Sequence, residues 1–346
     1  MSQNIVVLGS VNADLVVSGN SLPRPGETVT GGRFFKAHGG KGANQAVAAK
    51  RLAAETRVTF IGAVGDDSFG QDARAALIDE GIDVSNLHTL AGTATGVALI
   101  MVNGSGTGEN MISVASGANA MVDLAFMNNI GDHVFESASI FAASLEVEIA
   151  AVRRGLERAR SRGVYTILNP APAMPENCAA IVELLPLVDL LIPNVHEAQS
   201  LCDEISAGTD GETNPSELAN MLAGATRRGA VVITLGDSGC LVREPDGTEY
   251  RLPAHAAGTV VDTTAAGDCF CGAVAAELAR GVRLQDACRF GSRAAGVCVT
   301  RHGAQPSIPV RTELELRSGG SEKQLINLKT KSHNTGKPSP SPSRLD

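Results

Sequence analysis

The stretch Val260-Val261-Asp262-Thr263-Thr264-Ala265-Ala266-Gly267-Asp268 holds the main structural decision. Two β-branched residues end an apolar run, small residues turn the chain, and an Ala-rich segment of helical length follows at 267–280. The reading is strand, turn, helix, with the helix starting near Gly267. Amides at a helix start lack carbonyl partners, and the helix dipole adds positive potential there, so Ala265 to Asp268 can hold an anion. Small side chains let a phosphate approach the backbone. Asp268 then stands beside the anion hole, where a carboxylate can take a proton from a hydroxyl while a phosphoryl group is held. Asp is also a favoured helix cap, and that reading stays open for this segment on its own.

Outward from this segment the chain alternates. Apolar runs of strand length stand at 5–8, 58–63, 140–143, 164–168, 190–192 and 231–235. Helical patterns lie at 42–54, 69–80, 147–162, 178–185, 197–203, 216–228, 267–280 and 284–300. Such alternation builds βαβ units and a central, mostly parallel sheet flanked by helices, an α/β fold. Two stretches break the series. Residues 12–35, with Pro23, Pro25, Gly26, Gly31 and Gly32, read as strands and turns. Residues 95–102 and 111–114 read as two strands around a Gly-rich loop, 103–110. Together, at about 12–38 and 93–115, they are expected to form a small β-sheet lid. One domain of residues 1–316 is expected, followed by a disordered low-complexity tail at 317–346.

Composition narrows the class. The 346 residues are 43% hydrophobic but only 3% aromatic, with no Trp and 38 Gly. A core of Ala, Val, Leu and Ile suits helices packed closely on a parallel sheet. Net charge is −8, and 317–346 alone carries six Lys/Arg against two Asp/Glu, +4, so the body is −12. An acidic body argues against nucleic acid as a partner, but not against ATP held by backbone amides. The seven cysteines, Cys178, Cys202, Cys240, Cys269, Cys271, Cys288 and Cys298, include no C-x-x-C pair and read as buried thiols of a reducing compartment. With no signal peptide and no long apolar run, the expectation is a soluble cytoplasmic protein without membrane contact.

Further motifs point to a ligand. Gly39-Gly40-Lys41-Gly42-Ala43-Asn44-Gln45 offers close backbone approach, with donors from Lys41 and Asn44. It is not a Walker A loop, because Gly42 follows the lysine. Asn12-Ala13-Asp14 follows the first strand, at the end where open α/β sheets bind ligands. Each is also compatible with ordinary turn chemistry. Pro193-Asn194-Val195-His196-Glu197, Thr234-Leu235-Gly236-Asp237-Ser238-Gly239 and Ser144-Leu145-Glu146 end further strands. A dinucleotide-binding dehydrogenase is excluded, since no G-x-G-x-x-G follows the first strand.

Taken together these segments resemble the ribokinase branch of the PfkB-type carbohydrate kinases, from about Asn4 to about Glu315. The runs at 39–45 and 262–268 look like the family's two signatures. Gly9-Ser10-Val11-Asn12-Ala13-Asp14, Leu22-Pro23-Arg24-Pro25-Gly26-Glu27-Thr28, Asn169-Pro170-Ala171-Pro172-Ala173 and Gly303-Ala304-Gln305-Pro306-Ser307 match as well. The resemblance implies transfer of the ATP γ-phosphate to the 5-hydroxyl of a small sugar, with ribose leading over deoxyribose, fructose or a nucleoside. It implies Asp268 as base and Ala265, Ala266 and Gly267 as anion hole. Asn12, Ala13, Asp14, Gly40, Lys41, Gly42, Asn44 and Glu146 would hold the sugar. Asn194 and Glu197 would organise phosphates and Mg²⁺. Thr234, Leu235, Gly236, Asp237 and Gly239 would line the nucleotide site, with Ser292 near the adenine. A K⁺ activator would sit among Asp262, Thr264, Cys298, Arg301, Gly303 and Ser307, largely on backbone carbonyls. The lid would also make a homodimer.

Overall fold

The computed structural model describes residues 4–53, 55–104, 109–206 and 214–316. The chain opens with β1 (Asn4–Leu8), leaves for β2 (Asn12–Gly19) and β3 (Arg33–Gly39), and returns as α1 (Lys41–Leu52). Next come β4 (Arg57–Gly65), α2 (Ser68–Asp79) and β5 (Asp83–Leu90). A second excursion gives β6 (Gly96–Asn103) and β7 (Asn110–Ala115), then a 3₁₀ turn at Gly117–Met121. Short helices α3 (Leu124–Asn128) and α4 (His133–Glu136) lead to β8 (Ile140–Ser144), α5 (Ile149–Ser161), β9 (Tyr165–Asn169), α6 (Cys178–Val182) and β10 (Leu190–Leu191). The series continues with α7 (Val195–Ile205), α8 (Pro215–Ala225), β11 (Ala230–Thr234), β12 (Cys240–Arg243), β13 (Glu249–Leu252), α9 (Ala266–Ala279) and α10 (Leu284–Cys298).

The main sheet runs β13-β12-β11-β10-β9-β8-β1-β4-β5. It is parallel from β11 to β5, and β12 and β13 are antiparallel at one edge. Every residue of β1 is buried, as expected for a strand covered by helices on both faces. The small sheet runs β3-β2-β6-β7, with β2 and β6 parallel and the outer pairs antiparallel. Helices α1 and α9 meet at their backbones: a Cβ on Gly272 would stand 2.5 Å from both the Ala48 Cβ and the Gln45 carbonyl oxygen. The Ala- and Gly-rich composition of both helices is what permits that approach.

Three expectations need correction. Val260 and Val261 form no strand; they are largely exposed, and the Val261 amide bonds the Val299 carbonyl at the end of α10. The sheet edge is instead taken by the β12–β13 hairpin, which precedes this segment in the chain. The helix expected at 178–185 stops at Val182, and a 3₁₀ turn at Leu185–Leu187 carries Pro186, which cannot extend a helix. Strand β5, with the mixed sequence DVSNLHTL, was not anticipated.

The described residues up to Pro309 belong to one compact unit, and a second begins at Val310. Of the second, residues 310–316 are described; they include a helical stretch with an Arg311–Glu315 ion pair at 3.2 Å. The expected tail at 317–346 lies outside the described residues, as do residues 105–108 of the expected Gly-rich loop. Among the described residues no helix is long and apolar enough to cross a membrane.

Candidate active site

The residues expected to hold a sugar converge where the small sheet meets the body. Gly9 follows β1 and lies against Gly42: a Cβ on Gly42 would stand 2.5 Å from the Gly9 Cα. Gly40 joins β3 to α1 with φ +91°, a left-handed conformation that glycine adopts without strain. Gly39 has a different reason to be glycine, since its Cβ would fall 2.2 Å from an Asp14 carboxylate oxygen. Asn12 and Asp14 are buried on β2, on one face of the small sheet, with Ala13 between them on the other. Glu146, in the bend after β8, accepts the Ser10 hydroxyl at 2.5 Å and the Lys41 amide at 3.1 Å. Asn44 donates to Asp268 at 2.9 Å, while its Oδ1 is buried without a hydrogen-bond partner. A buried acceptor left open costs about 1–3 kcal/mol, which a donating ligand hydroxyl removes.

Asp268 lies in the first turn of α9, 7% exposed. The N-cap of that helix, Ala265, has φ +59°, the one positive value recorded for a non-glycine residue among those described, and no side chain caps the helix. The Ala266 amide bonds the Thr263 carbonyl at 3.2 Å, and the Gly267 and Asp268 amides after it stand at the positive end of the helix dipole. A cavity of about 200 Å³ is bounded by Ala265, Ala266, Gly267 and Asp268, by Lys41 opposite, and by Asn194, Glu197 and Thr234. Asn169, Thr263 and Cys271 also line it.

Four carboxylates share this region with one ammonium. Burial pushes the Asp268 carboxyl up, against the pull of Lys41, Asn44 and Gln45. Burial, then the charges of Glu146 and Asp268, push Asp14 up to about 7. Glu197 is also raised by burial, opposed by its bond from the Asn194 amide and by Lys41. Burial alone would pull the Lys41 ammonium down, but Asp268, Glu146 and Glu197 hold it above its ordinary value. The surroundings hold Lys41 charged and oppose full ionisation of the neighbouring carboxylates.

The residues expected to hold a nucleotide are in part together. Asn194 and Glu197 form a reciprocal capping box at the start of α7, at 2.9 Å each way, and Asn194 pairs with Thr234 across the sheet. Leu235, Gly236, Asp237 and Gly239 make the turn after β11, outside the cavity wall that Thr234 reaches. Ser292, on α10, faces Cys240 Sγ at 4.0 Å and also lies outside that wall.

The expected cation residues do gather. Asp262 accepts the Thr264 amide at 2.9 Å and the Gly303 amide at 2.8 Å, which holds its carboxyl below the usual range although burial works against it. Cys298 Sγ is 2.9 Å from Ser307 Oγ and 3.9 Å from the Thr264 carbonyl, and the Arg301 amide bonds the Cys298 carbonyl. Among the described residues no group of three or more His, Cys, Asp or Glu could hold a metal by itself.

Sequence reasoning gave no role to Asn119 or Gln45. Asn119 is 1% exposed; it accepts the Val11 amide at 2.9 Å and donates to the Val11 carbonyl and to Asn12 Oδ1. It thereby fixes which end of the Asn12 amide is free.

Known proteins resemble this chain over most of its length. The model of the pfkB family carbohydrate kinases matches residues 2–311. The ribokinase of Schizosaccharomyces pombe is 38% identical over 316 residues, 90% of this chain and 96% of its own. The solved ribokinase of Thermotoga maritima superposes with a TM-score of 0.79 at 31% identity, covering 90% of this chain and 98% of its own. The Arabidopsis thaliana ribokinase, solved with ribose and ATP, gives 0.79 at 29% identity, covering 91% and 98%. With its two glycine-bearing segments meeting at one buried aspartate, the chain belongs to the pfkB family of carbohydrate kinases.

Proposed function

We propose that this protein is an ATP-dependent ribokinase, making D-ribose 5-phosphate and ADP. The observation that carries it is the placement of Asp268: a buried carboxylate between the amide donors of α1 and the uncapped end of α9. Similarity to a relative solved with ribose and ATP supports the choice of sugar and nucleotide.

In this reading Asn12, Asp14, Asn44 and Glu146 hold the ring hydroxyls, and Lys41 adds a donor over the acceptor end. Asp268 takes the proton of the 5-hydroxyl as its oxygen attacks the γ-phosphorus. The bond to the β-phosphate oxygen breaks, and ADP carries that charge away. Amides of Ala265, Gly267 and Asp268 face the charge that grows on the transferring group, where fixed donors act most strongly. Thr234, Asn194 and the turn 235–239 would bind the nucleotide, with Ser292 beyond it. Glu197 would hold Mg²⁺, which neutralises phosphate charge when bound; one carboxylate completed by phosphate oxygens and water is an ordinary Mg²⁺ set. The oxygen-rich loop pair at Asp262, Thr264, Cys298, Arg301, Gly303 and Ser307 fits K⁺, which would stiffen the anion hole. We place the kinase domain at 1–316 with the tail outside it, and the protein in the cytoplasm. An ADP-release assay offering ribose, deoxyribose, fructose and adenosine, with and without KCl, tests this. Turnover that depends on ribose and rises with KCl is expected; turnover with adenosine alone would move the acceptor assignment.

Ribose binding should depend on pH through Asp14. A sugar hydroxyl donates to the ionised carboxylate, so binding expels the proton that Asp14, raised to about 7, holds at neutral pH. Ribose affinity is expected to fall by about fivefold from pH 7 to pH 6, as one group titrating near 7 requires. Calorimetry in buffers of different ionisation enthalpy should detect proton release, absent in Asp14→Asn.

The face of the small sheet opposite Asn12 and Asp14 carries Phe34, Val17, Met101 and Met111 in one cross-strand row, with Leu99 beside them. Phe34 is 61% exposed and Leu99 53%. An apolar row of this kind suits a second copy of the chain. Leu99→Glu is expected to convert a dimer to a monomer by light scattering; an unchanged mass would remove the lid from the interface.

A further inference from the structure

Two consecutive residues of α1 grip Asp268. Asn44 Nδ2 donates to Oδ2 at 2.9 Å, and Gln45 Nε2 donates to Oδ1 at 3.2 Å. Asn44 already has a place in the sugar site. Gln45 has none, yet it is 3% exposed and its Nε2 makes a second bond, 3.1 Å, to Asn169 Oδ1 at the end of β9. Asn169 cannot turn its amide round, because its Nδ2 donates to the Ile192 carbonyl at 2.8 Å. The direction of the whole chain of bonds is therefore set. An inverted Gln45 would press its oxygen against both the carboxylate and the Asn169 oxygen. The backbone is equally constrained, since α1 and α9 touch at Gln45 and Gly272. Packing alone would be served by Met or Leu at this position.

We propose that Gln45 is a positioning residue for phosphoryl transfer: backed by Asn169, it fixes the rotamer of the Asp268 carboxylate, favours its ionised form and presents Oδ2 to the incoming hydroxyl. The inference rests on the reading of Asp268 as base. Other groups also act on that carboxylate. Lys41 comes from α1, Asp14 from β2, Glu146 from the bend after β8, Glu197 from α7, Cys269 and Cys271 from α9, and Cys298 from α10. Gln45 is uncharged and its side chain bonds Asp268 and Asn169 rather than any of these groups, so a shift in the base's titration would belong to its bond with Asp268.

The test compares the full-length wild type, Gln45→Met and Asp268→Asn, with kcat followed across pH at saturating ATP and ribose. A lost hydrogen bond to a charged group predicts kcat lower by roughly 10–100-fold in Gln45→Met. KM for both substrates should stay within about threefold, the mark of an interaction used in the transition state. The acid limb of the kcat profile should move up by about one pH unit or more. A packing role leaves that limb in place, and an unmoved limb overturns the inference. If Gln45→Met does not fold, Asn169→Ala frees the same amide from behind; a smaller shift in the same direction supports the inference and none overturns it. An inactive Asp268→Asn beside an unmoved Gln45→Met limb removes the role of Gln45 alone. A fully active Asp268→Asn removes the base reading and this one with it.

Discussion

Asp268→Asn is expected to lower kcat by roughly 10²–10⁴-fold, the contribution of a positioned general base. Asn keeps the shape; its Oδ1 can still accept from Gln45, and its Nδ2 can donate to the otherwise unpartnered Asn44 Oδ1 once the Asn44 amide turns, so the fold and the binding of ATP should survive. KM for ribose should change much less than kcat, because what is lost is used as the oxygen attacks and not before. Removing a buried carboxylate should also relieve the raised Asp14, which feels the Asp268 charge. The measurement is steady-state turnover with melting temperature as control. Near-normal turnover from a folded Asp268→Asn protein would sink the base assignment.

Gly40→Ala should produce the largest combined loss of stability and sugar binding. Gly40 sits at φ +91°, and its Cβ would fall 2.7 Å from the Ser10 carbonyl oxygen and 2.8 Å from the Asn12 amide nitrogen. These are backbone atoms, so no rotamer change removes the conflict. Strain at a disallowed conformation costs about 1–3 kcal/mol. Forcing packed atoms apart adds about 1–3 kcal/mol more. For a chain of this size the sum lowers Tm by roughly 3–9 °C. Because the displaced atoms carry Asn12 and the Ser10–Glu146 bond, KM for ribose should rise by more than about tenfold. Gly92→Ala is the control, since φ there is also positive, +70°, but nothing lies within 4 Å of its Cβ. It should lose some stability and keep its ribose KM. Equal KM changes in both variants would dissociate Gly40 from the sugar site.

The helices and parallel strands of this protein were legible because buried strands such as β1 are uniform apolar runs and the intervening helices are long. The glycine segments were legible because a positive φ or a backbone contact restricts the residue at one position. Strand β5 was not, since its alternation of polar and apolar residues is weak and its pairing with β4 carries a register shift. Val260-Val261 misled because β-branched residues favour strands wherever they stand, and local preference says nothing about whether a sheet edge is free. Asn119 and Gln45 were invisible for a different reason. Their partners Val11 and Asp268 lie 108 and 223 positions away, and an amide's role is set wholly by what it meets.

The small sheet is built from two excursions whose ends lie side by side: Asn12 pairs with Gly39, and Val97 with Ala115. Each leaves and re-enters the body at nearly one point, so its tip can be lengthened, trimmed or exchanged without moving the strands beneath. Asn12 and Asp14 ride on the first of these excursions, while Asp268 and the end of α9 stay with the body. On the proposed reading, part of the acceptor's recognition thus rides on the excursions, while Asn44, Glu146 and the chemistry at Asp268 stay with the body. On that reading, a descendant could alter its acceptor preference by redrafting residues 12–39 and 96–115 while keeping the Asn44–Asp268 contact.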